Sequence, residues 1–258
     1  MRNRTKELLD AGKTAIGAQL RFGSPAIAEL FGHADFDWLI IDAEHSPQTA
    51  PGIQAQIQAI GNTQATPVIR LPKVDVEQIR LYLDMGAMIV ACAFVNTAAD
   101  AQLGARACRY PPQGIRGWGP HRAAQYGMQA KQYTDTINDQ VMFVSLIETQ
   151  EAVDNIDSIL AVDGMDALLI GAVDLAISLG VPFDFQNPVF QEAERKILDA
   201  ARRAGKPSGL GLYESPLDPA SLQRAIAAGH RNILIGGDEF LLTSGCQQFN
   251  EIFTKIRS

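Results

Sequence analysis

Short apolar runs alternate with longer stretches whose apolar residues recur every three or four positions, and the alternation continues through all 258 residues. Eight runs read as strands, at 14–20, 37–42, 66–70, 88–91, 141–147, 167–170, 208–212 and 232–235. Most are rich in β-branched residues or stop at Gly, Pro or a charge, as buried parallel strands do. Between them, the spacing predicts helices over 48–60, 76–85, 98–108, 149–160 and 188–204, and a last helix over 240–256. Eight strand-then-helix repeats predict one (β/α)₈ barrel spanning the whole chain as a single domain, a size at which such barrels commonly form. The open doubly wound sheet is the alternative. It lacks support because no G-x-G-x-x-G turn follows the first strand. Prolines and glycines in RYPPQGIRGWGPHRAAQYG mark a long loop between the fourth and fifth strands, and its length points to a functional role.

Composition changes this picture little. A net charge of −7 without a basic block gives no support to binding nucleic acid or anionic lipid. The apolar runs fall far short of the ~20 residues needed to cross a bilayer, and the charged opening MRNRTKELLDAGK lacks the apolar core of a secretory signal, so the expected location is the cytoplasm. Cys92, Cys108 and Cys246 are odd in number and widely separated, which predicts buried free thiols rather than disulfides or a thiolate metal site.

In a parallel barrel the chemistry sits at the carboxyl ends of the strands. Four reactive residues fall there: His45 after the second strand, Arg70 closing the third, Glu148 closing the fifth and Asp174 after the sixth. Adjacent strands lie roughly 5 Å apart, so the carboxylates of Glu148 and Asp174 are placed to share one cation. Two protein oxygens leave positions open for water and a chelating substrate, the pattern of Mg²⁺ or Mn²⁺ rather than zinc. The plain alternative for Asp174, taken alone, is a helix cap. An unpaired charge at the end of an apolar strand is costly, which makes a purely structural Glu148 less comfortable. Arg70 is suited to grip an oxyanion or carboxylate, or else to pair with Asp42 or Glu44. His45 joins Asp42 and Glu44 in an acidic cluster that can orient it as a proton carrier, whereas His33, His121 and His230 read as structural or solvated. No lysine falls where a Schiff base would need one. The glycines before Phe240 suggest a weak anion cradle at the start of the last helix.

Together, FDWLIIDAEHSP, RYPPQGIRG, the strand ending in IET and GMDALLIGAVDLAISLG resemble the HpcH/HpaI aldolase family over nearly the whole chain. The resemblance implies a metal-dependent pyruvate aldolase that cleaves 4-hydroxy-2-keto acids to pyruvate and an aldehyde. It implies Mg²⁺, Mn²⁺ or Co²⁺ on Glu148 and Asp174, Arg70 as the enolate-stabilising arginine and His45 as the acid–base histidine. Amides near Val173 and Asp174 are expected to help hold the substrate carboxylate. Asp84 matches an aspartate that supports the histidine, although the topology puts it near the opposite face, which makes a neighbouring subunit its expected source. Arg122 matches a further substrate-side arginine. The implied assembly is a homohexamer with a swapped carboxyl-terminal helix.

Departures from the family pattern leave the substrate open. Ile170-Gly-Ala-Val-Asp-Leu175 stands where relatives carry IGPADL, and Gln19 stands where close relatives often have Trp, implying a wider and more polar pocket. DAEHSP also resembles members that decarboxylate oxaloacetate. Such a decarboxylase, a citramalyl-type lyase using the same enolate, and a non-catalytic keto-acid binding protein therefore remain as alternatives.

Overall fold

The computed structural model describes residues 2–212 and 218–257. Eight parallel strands close on themselves in sequence order: β1 (Ala15–Leu20), β2 (Trp38–Asp42), β3 (Thr66–Leu71), β4 (Ile89–Cys92), β5 (Met142–Ile147), β6 (Ala167–Ile170), β7 (Ser208–Leu212) and β8 (Asn232–Gly237). Around them run α1 (Arg4–Asp10), α2 (Pro25–His33), α3 (Ala50–Ile60), α4 (Val76–Met85), α5 (Ala98–Ala107), α6 (Ala130–Gln140), α7 (Gln150–Asp154), α8 (Ile156–Leu160), α9 (Ala172–Ser178), α10 (Pro188–Ala204), α11 (Pro219–Ala228) and α12 (Asp238–Arg257). The expected barrel is therefore present, and no helix among the described residues is long and apolar enough to cross a membrane.

Strand periodicity sorts the core into two parts, because successive side chains point to opposite faces of a sheet. Trp38, Ile40, Val68, Val144, Leu146, Leu169 and Leu234 fill the barrel interior. Leu39, Ile41, Ile69, Val90, Phe143 and Leu168 face outward and pack beneath the helices. The same parity carries the inward row of β2 to Asp42, of β3 to Arg70, and of β5 one residue past its end to Glu148. Asp42 and Arg70 are register partners on neighbouring strands. Charged side chains thus end the inward rows of these strands at the carboxyl-terminal mouth, where a parallel barrel places its site.

Three expectations need correction. The helix expected over 149–160 is two, α7 and α8, divided at Asn155, whose side chain reaches across to the carbonyl of Asn96 at 2.9 Å. The last helix begins at Asp238 rather than at residue 240. Cys92 and Cys108 are buried thiols, but Cys246 is exposed, because α12 packs little of its length against its own barrel. The long 109–129 loop connects the end of α5 to α6 and so lies at the amino-terminal end of the barrel. There Arg116 is wholly buried between the rings of Tyr110 and Tyr133 and bonds to Asp84 at 2.6 Å.

Candidate active site

Asp42 organises the mouth. Arg70 grips it in two-pronged fashion, Nε to Oδ1 at 3.0 Å and Nη2 to Oδ2 at 2.6 Å. The amides of Glu44 and His45 donate to Oδ1 at 3.0 and 3.1 Å, and the Gln19 carboxamide donates to Oδ2 at 3.0 Å. Burial alone would push Asp42 up. The Arg70 bonds, with help from the two amides, outweigh it and hold the carboxyl below its usual range. Arg70 and the turn carrying His45 are thereby fixed by one anion.

Across the mouth, Glu148 is 3% exposed. The amide of Phe94 donates to its Oε1 at 2.7 Å, from a residue held at φ 52°. Burial pushes the Glu148 carboxyl up to about 7, against the Phe94 amide, and the nearby charges of Glu44 and Asp174 add to the rise. Gly171 lets the two strands approach, since a Cβ there would lie 2.8 Å from Glu148 Oε2. Gly171 also heads α9 without any side-chain cap, and Val173 and Asp174 follow in the first turn.

Glu44 is a third acid of this mouth, which sequence reasoning treated as a possible partner for Arg70 and as part of the acidic cluster beside His45. Its Oε2 lies 3.3 Å from Arg70 Nε yet takes no well-directed hydrogen bond. Burial raises its carboxyl, opposed by Arg70 and His45 and reinforced by Asp42 and Asp174. His45 sits at the rim with half its side chain exposed, Nε2 3.6 Å from Glu44 Oε1. Gln19, Arg21, His45, Arg70, Val173 and Asp174 line a cavity of about 290 Å³ floored by Ile40, Leu146, Leu169 and Leu234.

The structure thus brings together Gln19, His45, Arg70, Val173 and Asp174 around one cavity, with Glu148 beside it. Asp84 and Arg122 are elsewhere. Asp84 pairs with Arg116, and Arg122 donates to the carbonyl of Met85 at 2.8 Å, both at the foot of the barrel near the start of β4. Within one chain neither reaches the mouth, because α4 carries the backbone from the carboxyl-terminal end of the barrel to the other. The glycine cradle expected before Phe240 is closed from within. Asp238 is buried there and takes the amides of Arg21, Phe22 and Glu239 itself. Among the described residues no group of three His, Cys, Asp or Glu converges as a ready metal cage.

The model of the HpcH/HpaI aldolase/citrate lyase family matches residues 20–230. The chain belongs to this family. A 4-hydroxy-2-oxovalerate aldolase from Rhodococcus jostii is 39% identical over 98% of this chain and 97% of its own length. A 4-hydroxy-2-oxo-heptane-1,7-dioate aldolase from Klebsiella pneumoniae is 37% identical over 98% and 95%. Among solved structures, a HpcH/HpaI aldolase/citrate lyase family protein from Burkholderia cenocepacia superposes with a TM-score of 0.90 at 32% identity, covering 99% of this chain and all of that one. Membership in the HpcH/HpaI family and aldolase relatives of full length place the chain among the lyases.

Proposed function

We propose that this chain is a class II pyruvate aldolase, reversibly cleaving 4-hydroxy-2-keto acids to pyruvate and an aldehyde. The observation that carries the reading is the excess of acid at the mouth, where the charges of Glu44 and Asp174 add to the raised proton affinity of the buried Glu148, and that of Asp174 to Glu44, in front of Arg70. Such a set is uncomfortable without a cation and suited to one, and all-oxygen donors select a hard divalent ion. Glu148 and Asp174 are the residues to hold Mg²⁺ or Mn²⁺, with Co²⁺ as a further candidate. That ion, when bound, supplies the Lewis acidity that makes the methyl protons of a 2-keto acid removable.

The remaining roles belong to the chain itself. Arg70, locked by Asp42, stabilises negative charge on the keto oxygen without having to reorganise during reaction. The uncapped first turn at Val173 and Asp174 offers amides to the substrate carboxylate. His45, oriented through Glu44 and open to solvent at the rim, takes the proton of the C4 hydroxyl in cleavage and returns it in synthesis. The apolar floor excludes water from the enolate. Asp84 and Arg122 serve the mouth of a neighbouring copy. The exposed Leu241, Leu242, Phe249, Ile252, Phe253 and Ile256 of α12 support assembly into the hexamer that the family pattern implies.

The test is deuterium entry into the methyl group of pyruvate, followed by NMR with and without added Mg²⁺ or Mn²⁺, since it needs no aldehyde. Exchange is expected to require the ion and to fall at least 100-fold in Glu148→Gln. Exchange that persists in that variant, or never occurs with any ion, removes the aldolase reading.

A further inference from the structure

The cavity reaches well beyond what the reacting centre needs. In a closed barrel of eight strands in sequence order, β1 stands opposite β5, so Gln19 and Arg21 face Glu148 across the mouth. A volume of about 290 Å³ is roughly ten waters at about 30 Å³ each, room for more than a three-carbon keto acid. Carbons beyond the new bond must extend from the Glu148 and Asp174 side over Leu146, Leu169, Ile40 and Leu234. The path ends at β1.

What waits there is a second guanidinium, which the enolate chemistry does not use. The inward row of β1 runs Ala15, Gly17, Gln19 and then Arg21, one residue past the strand. Arg21 lines the cavity, and its backbone is pinned, with its amide and that of Phe22 each donating to the buried Asp238 at 3.0 Å. A bulge in β8 assists, since the register passes from Gly17 opposite Leu234 to Gln19 opposite Gly237, one residue extra, with Gly236 at φ 56°. Bulges at barrel rims re-aim side chains in this way. Arg21 Nε lies 3.4 Å from Asp42 Oδ2, and Nη1 holds the carboxylate of Glu239. Glu239 is 53% exposed at the first turn of α12, so it can turn out to water at little cost.

Resting on the aldolase reading, we propose that Arg21 is the specificity-determining residue for the far end of the substrate, binding a carboxylate carried by the aldehyde fragment. Glu239 holds the Arg21 guanidinium and yields it to the substrate carboxylate. A guanidinium offers paired donors that match a carboxylate, whereas a neutral amide or alkyl end would leave the displaced pair uncompensated. The preferred aldehydes are therefore short ω-carboxylated ones, whose apolar methylenes cross the leucine floor.

The experiment compares 4-oxobutanoate with its neutral isostere 4-oxobutanamide as acceptors for pyruvate. Wild type should favour the acid at least tenfold in kcat/KM, mainly through KM. The preference should collapse in Arg21→Met, survive in part in Arg21→Lys and grow in Glu239→Gln. An acid-to-amide ratio unchanged in Arg21→Met overturns the proposal. So does a latch-like result, in which Arg21→Met and Glu239→Gln alter thermal stability alike without moving the ratio. Pyruvate proton exchange in wild type reports separately on the enolate reading. Should that fail, binding of succinate by ligand-observed NMR still decides, since binding by wild type that is lost in Arg21→Met supports the subsite and equal binding by both rejects it.

Discussion

Glu148 and Asp42 are both buried carboxylates, and their surroundings drive them in opposite directions. Asp42 is gripped by a guanidinium and backbone amides, while Glu148 has one amide and two acids that outweigh the lesser pull of Arg70. The difference sets a pH dependence whose sign follows from linkage. A carboxyl raised from 4.5 to about 7 by folding binds its proton more tightly in the native state, so its stabilising effect is present below 4.5 and lost as pH rises to about 7. The cation-free protein should lose about 3 kcal/mol from this group between those limits, at about 1.4 kcal/mol per unit. Glu44 contributes in the same direction. Urea unfolding at pH 5 and pH 8 measures the loss, and Glu148→Gln should flatten it. Saturating Mg²⁺ should restore stability at pH 8. At this scale His45, Arg70, Glu148 and Asp174 were legible in the sequence because each ends or follows a strand. Glu44 was not, since a residue in a turn gives no parity until its backbone is seen, and Arg21, though one residue past β1, gains its place only through the hold of Asp238 on its backbone. Asp42 read as an accessory, because being the shared acceptor of Arg70, Gln19 and two amides is a property of three dimensions.

Among the elements, the strands were the most readable part of the chain. The runs at 167–170 and 208–212 match β6 and β7 residue for residue, and 76–85 and 188–204 match α4 and α10. Asp75 caps α4 and Asn187 caps α10, so local chemistry and burial agree on those starts. The break between α7 and α8 was hidden because Val153, Ile156, Ile159 and Leu160 are buried in one unbroken helical rhythm. Only the tertiary bond from Asn155 to Asn96 shows why the helix turns. The junction of β1, β8 and α12 hangs on Asp238 in a comparable way. Asp238→Ala leaves the amides of Arg21 and Phe22 without their acceptor, at a cost of about 2 kcal/mol. Denaturant titration should show that loss, together with a weaker preference for the acidic acceptor, since Arg21 is no longer aimed.

For the whole molecule, the two ends of the barrel are built differently. The carboxyl-terminal end gathers unlike charges around a cavity, and the amino-terminal end is plugged by the 109–129 loop around Arg116. The loop was expected to be functional, and in one chain its visible work is this closure. Helix α12 projects Phe249 and Phe253, stacked at 6.1 Å between ring centroids, away from the barrel core. Replacing Ile252 and Phe253 by Glu should therefore lower the mass measured by light scattering to that of smaller assemblies. A variant of unchanged mass would count against the proposed contact through α12.

The pairing of β1 with β8 also bears on how the protein is made. Residues 15–20 leave the ribosome well before their second neighbour, 232–237, so one edge of the growing sheet stays open while all the chain between them is made. At roughly 5–20 residues per second that interval is about 10 to 40 s. Until β8 arrives, the row ending in Gln19 and Arg21 has no wall behind it, and the mouth is completed only by the last of its eight strands.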